Sequence, residues 1–279
     1  MNNYKVSLIA AVYKDTQALD IIIKALKKQT YKNFEFIVAE DGQSTEMNEY
    51  LAQLEETFFD IIHTTQEDIG LRKSMSQNNA IRASTGEYLI FIDGDCIPYS
   101  TFIEYHVALA EKGCFLGGKR VNLGPSFSAQ VRSGQLDAYD LEKKFLLNFM
   151  AIKKDAIEKH AEEGFSFSPK SLAYKLFMKN RKKKLQLVGC NFSCFKEDMI
   201  KINGFNEELE DAAIASDTDI QWRFEAIGLK VKSCKYVANQ FHLYHKRSSE
   251  QDRGNTQLYL DNKAQNNYIA IKGIYTRDV

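Results

Sequence analysis

Short apolar runs alternate with helical periodicities through the first hundred residues. Val6-Ser7-Leu8-Ile9-Ala10-Ala11-Val12 is apolar at nearly every position, as a strand covered on both faces requires. Asp15 or Thr16 can then cap a helix whose apolar positions are Leu19, Ile22, Ile23 and Leu26. Phe34 to Ala39 reads as a second strand, closed by the turn signal Glu40-Asp41-Gly42, and a helix over 45–56 follows. Asp60 to Thr64 is a third strand, Ser74 to Ser84 a helix ended by Gly86, and Tyr88 to Ile92 a fourth strand cut off by Asp93-Gly94-Asp95. This alternation predicts an α/β fold: a Rossmann-like, mostly parallel sheet with helices on both faces.

The pattern then changes. Phe115 to Val121 reads as one more strand, and about 126–185 turns helical, with lysines gathered at 179–184. We read 122–185 as a helical insertion within one domain spanning 1–279. Strands are expected again at Leu185–Val188, Val231–Tyr236 and Val237–Tyr244, with helices at Glu197–Ile202 and Asp217–Ile227.

Composition narrows the function classes. The 279 residues are 44% hydrophobic and 27% charged, ordinary for a globular protein. Lysine plus arginine and aspartate plus glutamate both total 37, so no global basic charge drives binding to nucleic acid or membrane. No apolar run approaches the ~18 residues of a membrane span, and no signal peptide is evident, so a cytoplasmic location is expected. The five cysteines form no CxxC pair and fit reduced thiols. Cys190 and Cys194 are expected to be buried and inert.

Ligands of open α/β sheets sit beyond the carboxyl ends of the strands. Tyr13-Lys14-Asp15, Glu40-Asp41-Gly42 and Asp93-Gly94-Asp95 all fall there. Neither GxGxxG nor GxxxxGK[ST] follows the first strand, so side chains rather than a glycine-rich cradle would grip a nucleotide. That absence also argues against a nucleotidylyltransferase. Asp93 and Asp95 can share a hard divalent cation. An EF-hand is excluded, because Pro98 stands where that loop needs glycine.

Together these segments resemble family 2 glycosyltransferases of the GT-A fold. Downstream, Gly189-Cys190-Asn191-Phe192-Ser193 resembles the family's Gly-x-Asn segment beside the sugar site. Asn203-Gly204-Phe205-Asn206-Glu207 is similar to its Gly-Gly-Phe-Asp/Asn-Glu motif, and Ser216 to Phe224 to Glu-Asp-x-Asp-Leu-x-x-Arg, with Ser216 in place of the first Glu. The last two motifs are shared with galactosyltransferase C-terminal regions and chondroitin-synthase-type modules.

The resemblance implies a UDP-sugar donor and Mn²⁺ or Mg²⁺. It implies an oligosaccharide or lipid-linked glycan acceptor, in capsule or lipopolysaccharide synthesis. It places Tyr13 against the uracil with Ala11 beside it, Asp41 on the base, Arg72 near the nucleotide, and Gly189 and Asn191 at the sugar. Asp93 would hold the ribose and Asp95 the metal, completed by His242. His245 is the alternative ligand, or a diphosphate contact with Lys246 and Arg247 in a mobile loop running to Asn255. Asp217 would be the base of an inverting transfer; as a residue alone it reads equally as a helix cap. Asp219 either binds acceptor or buttresses its helix. The Arg181–Lys184 run is a solvated face or a contact with anionic lipid head groups. The competing reading is an inactive nucleotide- or glycan-binding module of the same fold.

Overall fold

The structure, a computed structural model, describes residues 2–178, 185–209, 215–246 and 256–277. Strands β1 (Val6–Val12), β2 (Phe34–Glu40), β3 (Ile61–Thr64) and β4 (Tyr88–Asp93) are joined by helices α1 (Thr16–Leu26), α2 (Thr45–Ala52) and α3 (Lys73–Ala83). Asp15 caps α1 through Ala18 N at 2.9 Å, and Ser44 caps α2 through Met47 N at 3.1 Å. The four strands are parallel, with Val6 level with both Phe34 and Tyr88.

The chain continues through β5 (Cys96–Pro98), α4 (Phe102–Leu109), β6 (Cys114–Gly117) and β7 (Val121–Asn122). Helices α5 (Pro125–Arg132), α6 (Ala138–Lys143) and α7 (Phe145–Asp155) follow, then β8 (Phe192–Phe195) and α8 (Lys196–Lys201). Helix α9 (Ile220–Ala226), β9 (Lys230–Ser233), β10 (Gln240–His242) and α10 (Thr256–Ala264) complete the described elements. The main sheet has seven strands in the order β3-β2-β1-β4-β8-β6-β9, and a second sheet has three in the order β5-β10-β7.

Strand periodicity divides the core between two faces. Leu8, Ala10, Phe36, Val38 and Ile90 face α1 and α4, whereas Ile9, Ile37, Leu89 and Phe91 face α3, α8 and α9. Both faces are apolar, which is why these strands read as continuous apolar runs.

The differences from the sequence reading begin after β4, where β5 and α4 have no counterpart in it. Leu185–Val188 is not a strand. Its backbone is held by the Gln221 amide, which accepts from Leu187 N at 2.8 Å and donates to Leu185 O at 3.2 Å. The strand comes four residues later as β8, antiparallel to both β4 and β6. Phe115–Val121 is two strands in two sheets, broken at Gly118, where a Cβ would stand 2.4 Å from the Asn191 side chain. The helix expected over 217–227 begins as a π-helical turn, Ala215–Asp219, before α9. Helix α10 carries no amphipathic stripe and escaped the sequence reading.

Within 122–185, helices α5, α6 and α7 lie within 125–155, and beyond Asp155 the described helical segments are two short turns, Ala161–Gly164 and Tyr174–Met178. Among the ties of this region to the sheet domain, Arg132 at the end of α5 reaches Asp15 at 2.8 Å, and Glu142 in α6 accepts from Ser100 N and Oγ at 2.7 Å each. The Arg181–Lys184 run, Arg247 and the loop through Asn255 lie outside the described residues.

Candidate active site

The carboxyl ends of β1, β2 and β4 surround a pocket of about 400 Å³. Its lining includes Ala11, Tyr13, Asp41, Asp93 and Asp95 from the sequence-predicted set. Tyr13 is exposed, with Lys14 Nζ 4.6 Å above its ring. Asp41 is buried, accepting from Gln66 Nε2 at 2.7 Å and Arg72 N at 2.8 Å. Burial pushes the Asp41 carboxyl up, against those hydrogen bonds. Each Asp41 oxygen keeps a lone pair for a further donor.

The Asp-Gly-Asp turn lies directly on β1. Gly94 N donates to Ala11 O at 2.7 Å, and a Cβ on Gly94 would sit 2.9 Å from that same oxygen. Only glycine allows this approach, which turns Asp93 and Asp95 into the same pocket. Asp93 is ion-paired with Lys73 and lies 3.8 Å from Arg120. Burial alone would lower the Lys73 amine, but Asp93 and then Asp217 hold it protonated.

Asp95 meets two histidines through the second sheet. His242 pairs with Cys96 across β5 and β10, and Leu243 N donates to Asp95 O at 3.0 Å. His242 Nε2 and His245 Nε2 each lie 3.2 Å from Asp95 Oδ2. One ligand atom from each of the three residues falls within 4.8 Å of the others. Burial raises the Asp95 carboxyl, but the two imidazoles beside it pull it well below the usual carboxylate range. The Asp95 carboxylate raises His245 in turn. His242 Nε2 is buried with no well-formed hydrogen bond. A buried nitrogen without a bonding partner, facing a carboxylate and a second imidazole, fits a divalent cation.

Asp217, in the π-helical turn, is half-buried, and its charge acts on both Lys73 and Lys119. Lys246 is exposed beside His245, whose Nδ1 lies 3.3 Å from Lys246 O.

Three predicted residues are engaged elsewhere. Asn191 is fully buried: its amide donates to Lys119 O (2.7 Å) and Ala238 O (3.0 Å), and Oδ1 accepts from His106 Nε2 at 3.1 Å. It fastens the β6–β7 crossover to β8, and Gly189 is buried in the turn before it. Arg72 turns its guanidinium to Glu67 O, and it is its neighbour Lys73 that lines the pocket. Asp219 is buried, with its two carboxylate oxygens taken by Arg223 (2.9 Å) and Trp222 Nε1 (3.0 Å).

Sequence reasoning missed Lys73, Arg120 and Arg132. Lys73 opens α3, Arg120 sits on the β6–β7 crossover, and Arg132 enters the pocket from α5. None carries a motif, because each reaches the site by tertiary packing. Cys96 and Cys194 are buried with thiols pushed well up, and all five cysteines are unpaired. Cys96 and Cys194 are therefore protonated thiols, poor metal ligands.

Solved structures identify the class of fold. The chain superposes on a mannosyltransferase of Pyrobaculum calidifontis solved with GDP-Man and Mn²⁺, with a TM-score of 0.57, 14% identity, and 88% of this chain and 59% of that one covered. It also superposes on residues 1–349 of S. aureus TarS solved with UDP, with a TM-score of 0.54, 13% identity, and coverage of 85% and 60%. The fold is that of GT-A glycosyltransferases. The glycosyl transferase family 2 model matches residues 7–183, and the chain belongs to that family. A second model, described as the N-terminal domain of galactosyltransferase, matches residues 173–246. Among named relatives, the cholesterol galactosyltransferase of Borreliella burgdorferi is 32% identical over 104 residues, 37% of this chain and 28% of that protein. Glycosyltransferase AglE of Haloferax volcanii is 30% identical over 105 residues, 37% of this chain and 34% of that protein. These alignments span well under half the length of the relatives. Among the described residues, no helix is long and apolar enough to cross a membrane.

Proposed function

We propose that the chain moves a hexose or N-acetylhexosamine from a UDP-sugar to a hydroxyl of a glycan acceptor, with inversion. The acceptor would be a free or lipid-linked oligosaccharide of a surface polysaccharide such as capsule or lipopolysaccharide. The observation that carries this reading is the meeting of two charge sets at one pocket, each entering it through an aspartate of the Asp-Gly-Asp turn. Asp95 with His242 and His245 forms one, and Asp93 with Lys73 and Arg120 the other.

Tyr13 offers a ring on which the base stacks, and Asp41 a carboxylate for the base N–H. Lys73 and Arg132 supply fixed positive charge to a diphosphate lying across the pocket. Asp95, His242 and His245 would hold the cation. Their mixed oxygen and nitrogen donors suit Mn²⁺ better than Mg²⁺, and the bound ion would neutralise charge on the leaving UDP. Asp217 takes the proton from the acceptor hydroxyl. The new bond forms between that oxygen and the anomeric carbon as the bond to the diphosphate oxygen breaks on the opposite face. The Mn²⁺ and GDP-Man of one structural neighbour and the UDP of another support a metal and a nucleotide donor. A galactosyltransferase among the relatives supports a hexose.

The test measures UDP release from each common UDP-sugar with Mn²⁺, using wild type, Asp217→Asn and Asp95→Ala, with and without an acceptor glycan. Release from one donor, lost in both variants while Asp217→Asn still binds UDP, is the expected result. Wild-type turnover in Asp217→Asn overturns the assignment of the base. UDP binding without turnover under every donor and acceptor marks a binding module.

A further inference from the structure

The outward face of α7 is apolar where a solvated helix would be polar. Phe145 and Ile152 point into the core, while Leu146, Leu147 and Met150 are 73%, 85% and 69% exposed. Helical spacing places these three within about 100° of one another on the side away from Ile152. Isolated exposed apolar side chains are ordinary, but three neighbours form a patch on the order of 400 Å², a size that marks an interaction surface.

Charge identifies what covers it. Lys143 and Lys144 stand one turn before the patch, and Lys153 and Lys154 one turn after, all exposed. From 143 to 155 the only acid is Asp155, and its carboxylate is turned inward to cap α5. The face is therefore an apolar stripe with lysines at both ends and no acidic side chain directed outward. Lysine stems can extend along such a stripe and lift their ammonium groups to a polar, anionic layer. A second copy of the chain is a poorer occupant, because like charges would oppose each other and a stable dimer buries ~800 Å² per partner.

We infer that α7 is an interfacial helix that docks the protein on a bilayer surface rich in anionic lipid, with Leu146, Leu147 and Met150 entering the acyl boundary. This goes beyond the assignment of donor and acceptor and does not depend on which sugar is moved. Its link to the site is structural: α7 caps α5 through Asp155, and α5 delivers Arg132 to the donor pocket. Docking on this face would hold the pocket at a set distance from head groups, where lipid-linked acceptors lie.

The test is co-sedimentation of the full chain with vesicles of phosphatidylcholine alone or mixed with phosphatidylglycerol. Wild type is expected to bind the mixed vesicles, to bind neutral ones at least about tenfold more weakly, and to be released by salt. Leu147→Glu/Met150→Glu and, separately, Lys153→Glu/Lys154→Glu are expected to lower binding about tenfold or more, with wild-type melting temperature and UDP binding. Equal binding to both vesicles, binding unchanged in both variants, or no vesicle binding overturns the inference. Self-association of wild type that Leu147→Glu/Met150→Glu abolishes, without vesicle binding, assigns the face to a second copy instead.

Discussion

Arg223 is the largest fully buried side chain among the described residues, and replacing it with methionine tests whether its pairing with Asp219 steadies the turn that carries Asp217. A guanidinium has five N–H donors, and each has a partner here. Nε donates to Tyr268 O at 3.0 Å, Nη1 to Gly204 O and Asp219 Oδ2 at 2.9 Å each, and Nη2 to Gly204 O at 2.6 Å and to Ile202 O. Three segments meet on one side chain: the turn after α8, helix α9 and the chain near Tyr268. Arg223→Met fills similar volume but strands the Asp219 carboxylate with Trp222 alone and orphans buried carbonyls. Removing one member of a buried pair costs about 3–5 kcal/mol. At roughly 2–4 °C per kcal/mol for a chain of this size, the melting temperature should fall by about 10 °C. Asp217 lies two residues before Asp219 in the π-helical turn, so turnover per folded molecule should also drop. Asp219→Leu/Arg223→Met, which removes both charges, should recover part of the lost stability. Thermal unfolding by circular dichroism, paired with UDP release normalised to folded protein, reads both effects. A single variant melting within about 2 °C of wild type, or a double variant no more stable than the single, would refute the reasoning.

Burial pushes His106 down to about 3, so the folded protein holds a neutral imidazole where the unfolded chain, with its ordinary pKa of about 6.5, takes a proton. Its stabilising share is complete above the unfolded value and is lost as pH falls from there towards 3. At pH 5 the loss is about 2 kcal/mol, so His106→Gln should flatten the acid limb of stability against pH between 6.5 and 4 in urea unfolding. A parallel limb in the variant would assign that limb to other groups. Lys73→Met should weaken UDP binding in calorimetry by about tenfold or more, through loss of a charge-assisted contact, with little change in melting temperature. Unaltered affinity would remove Lys73 from the donor site. Gly94→Ala drives a Cβ against Ala11 O and Val12 and should lower Mn²⁺ affinity in a titration, with a stability loss of about 1–3 kcal/mol. Wild-type metal affinity would show that the Asp-Gly-Asp turn tolerates a side chain.

The first half of the fold was legible because its strands are buried on both faces and its turns carry the residues their geometry demands. Val6–Val12, Phe34–Ala39 and Tyr88–Ile92 read as strands, the structure adds one residue to each of the last two, and Asp41, Asp93 and Asp95 fall at their carboxyl ends, where a parallel sheet leaves room for a ligand. The local chemistry of Asp15 as a cap and of Gly94 between two aspartates was equally open to a reader of residues. Tertiary structure alone decided the rest. Asn191 meets the protein rather than a ligand through neighbours 47 to 85 residues away, and for Asp219 and Arg72 the outcome rests on which way one side chain turns. Lys73, Arg120 and Arg132 converge because a helix start, a sheet crossover and an inserted helix pack around one pocket, and no periodicity encodes that meeting. Above all, Asp95 finds His242 and His245 across nearly 150 residues because β10 pairs with β5 in one register. The sequence supplies the ligands, but the hydrogen-bonded alignment of two short strands sets the distance between them.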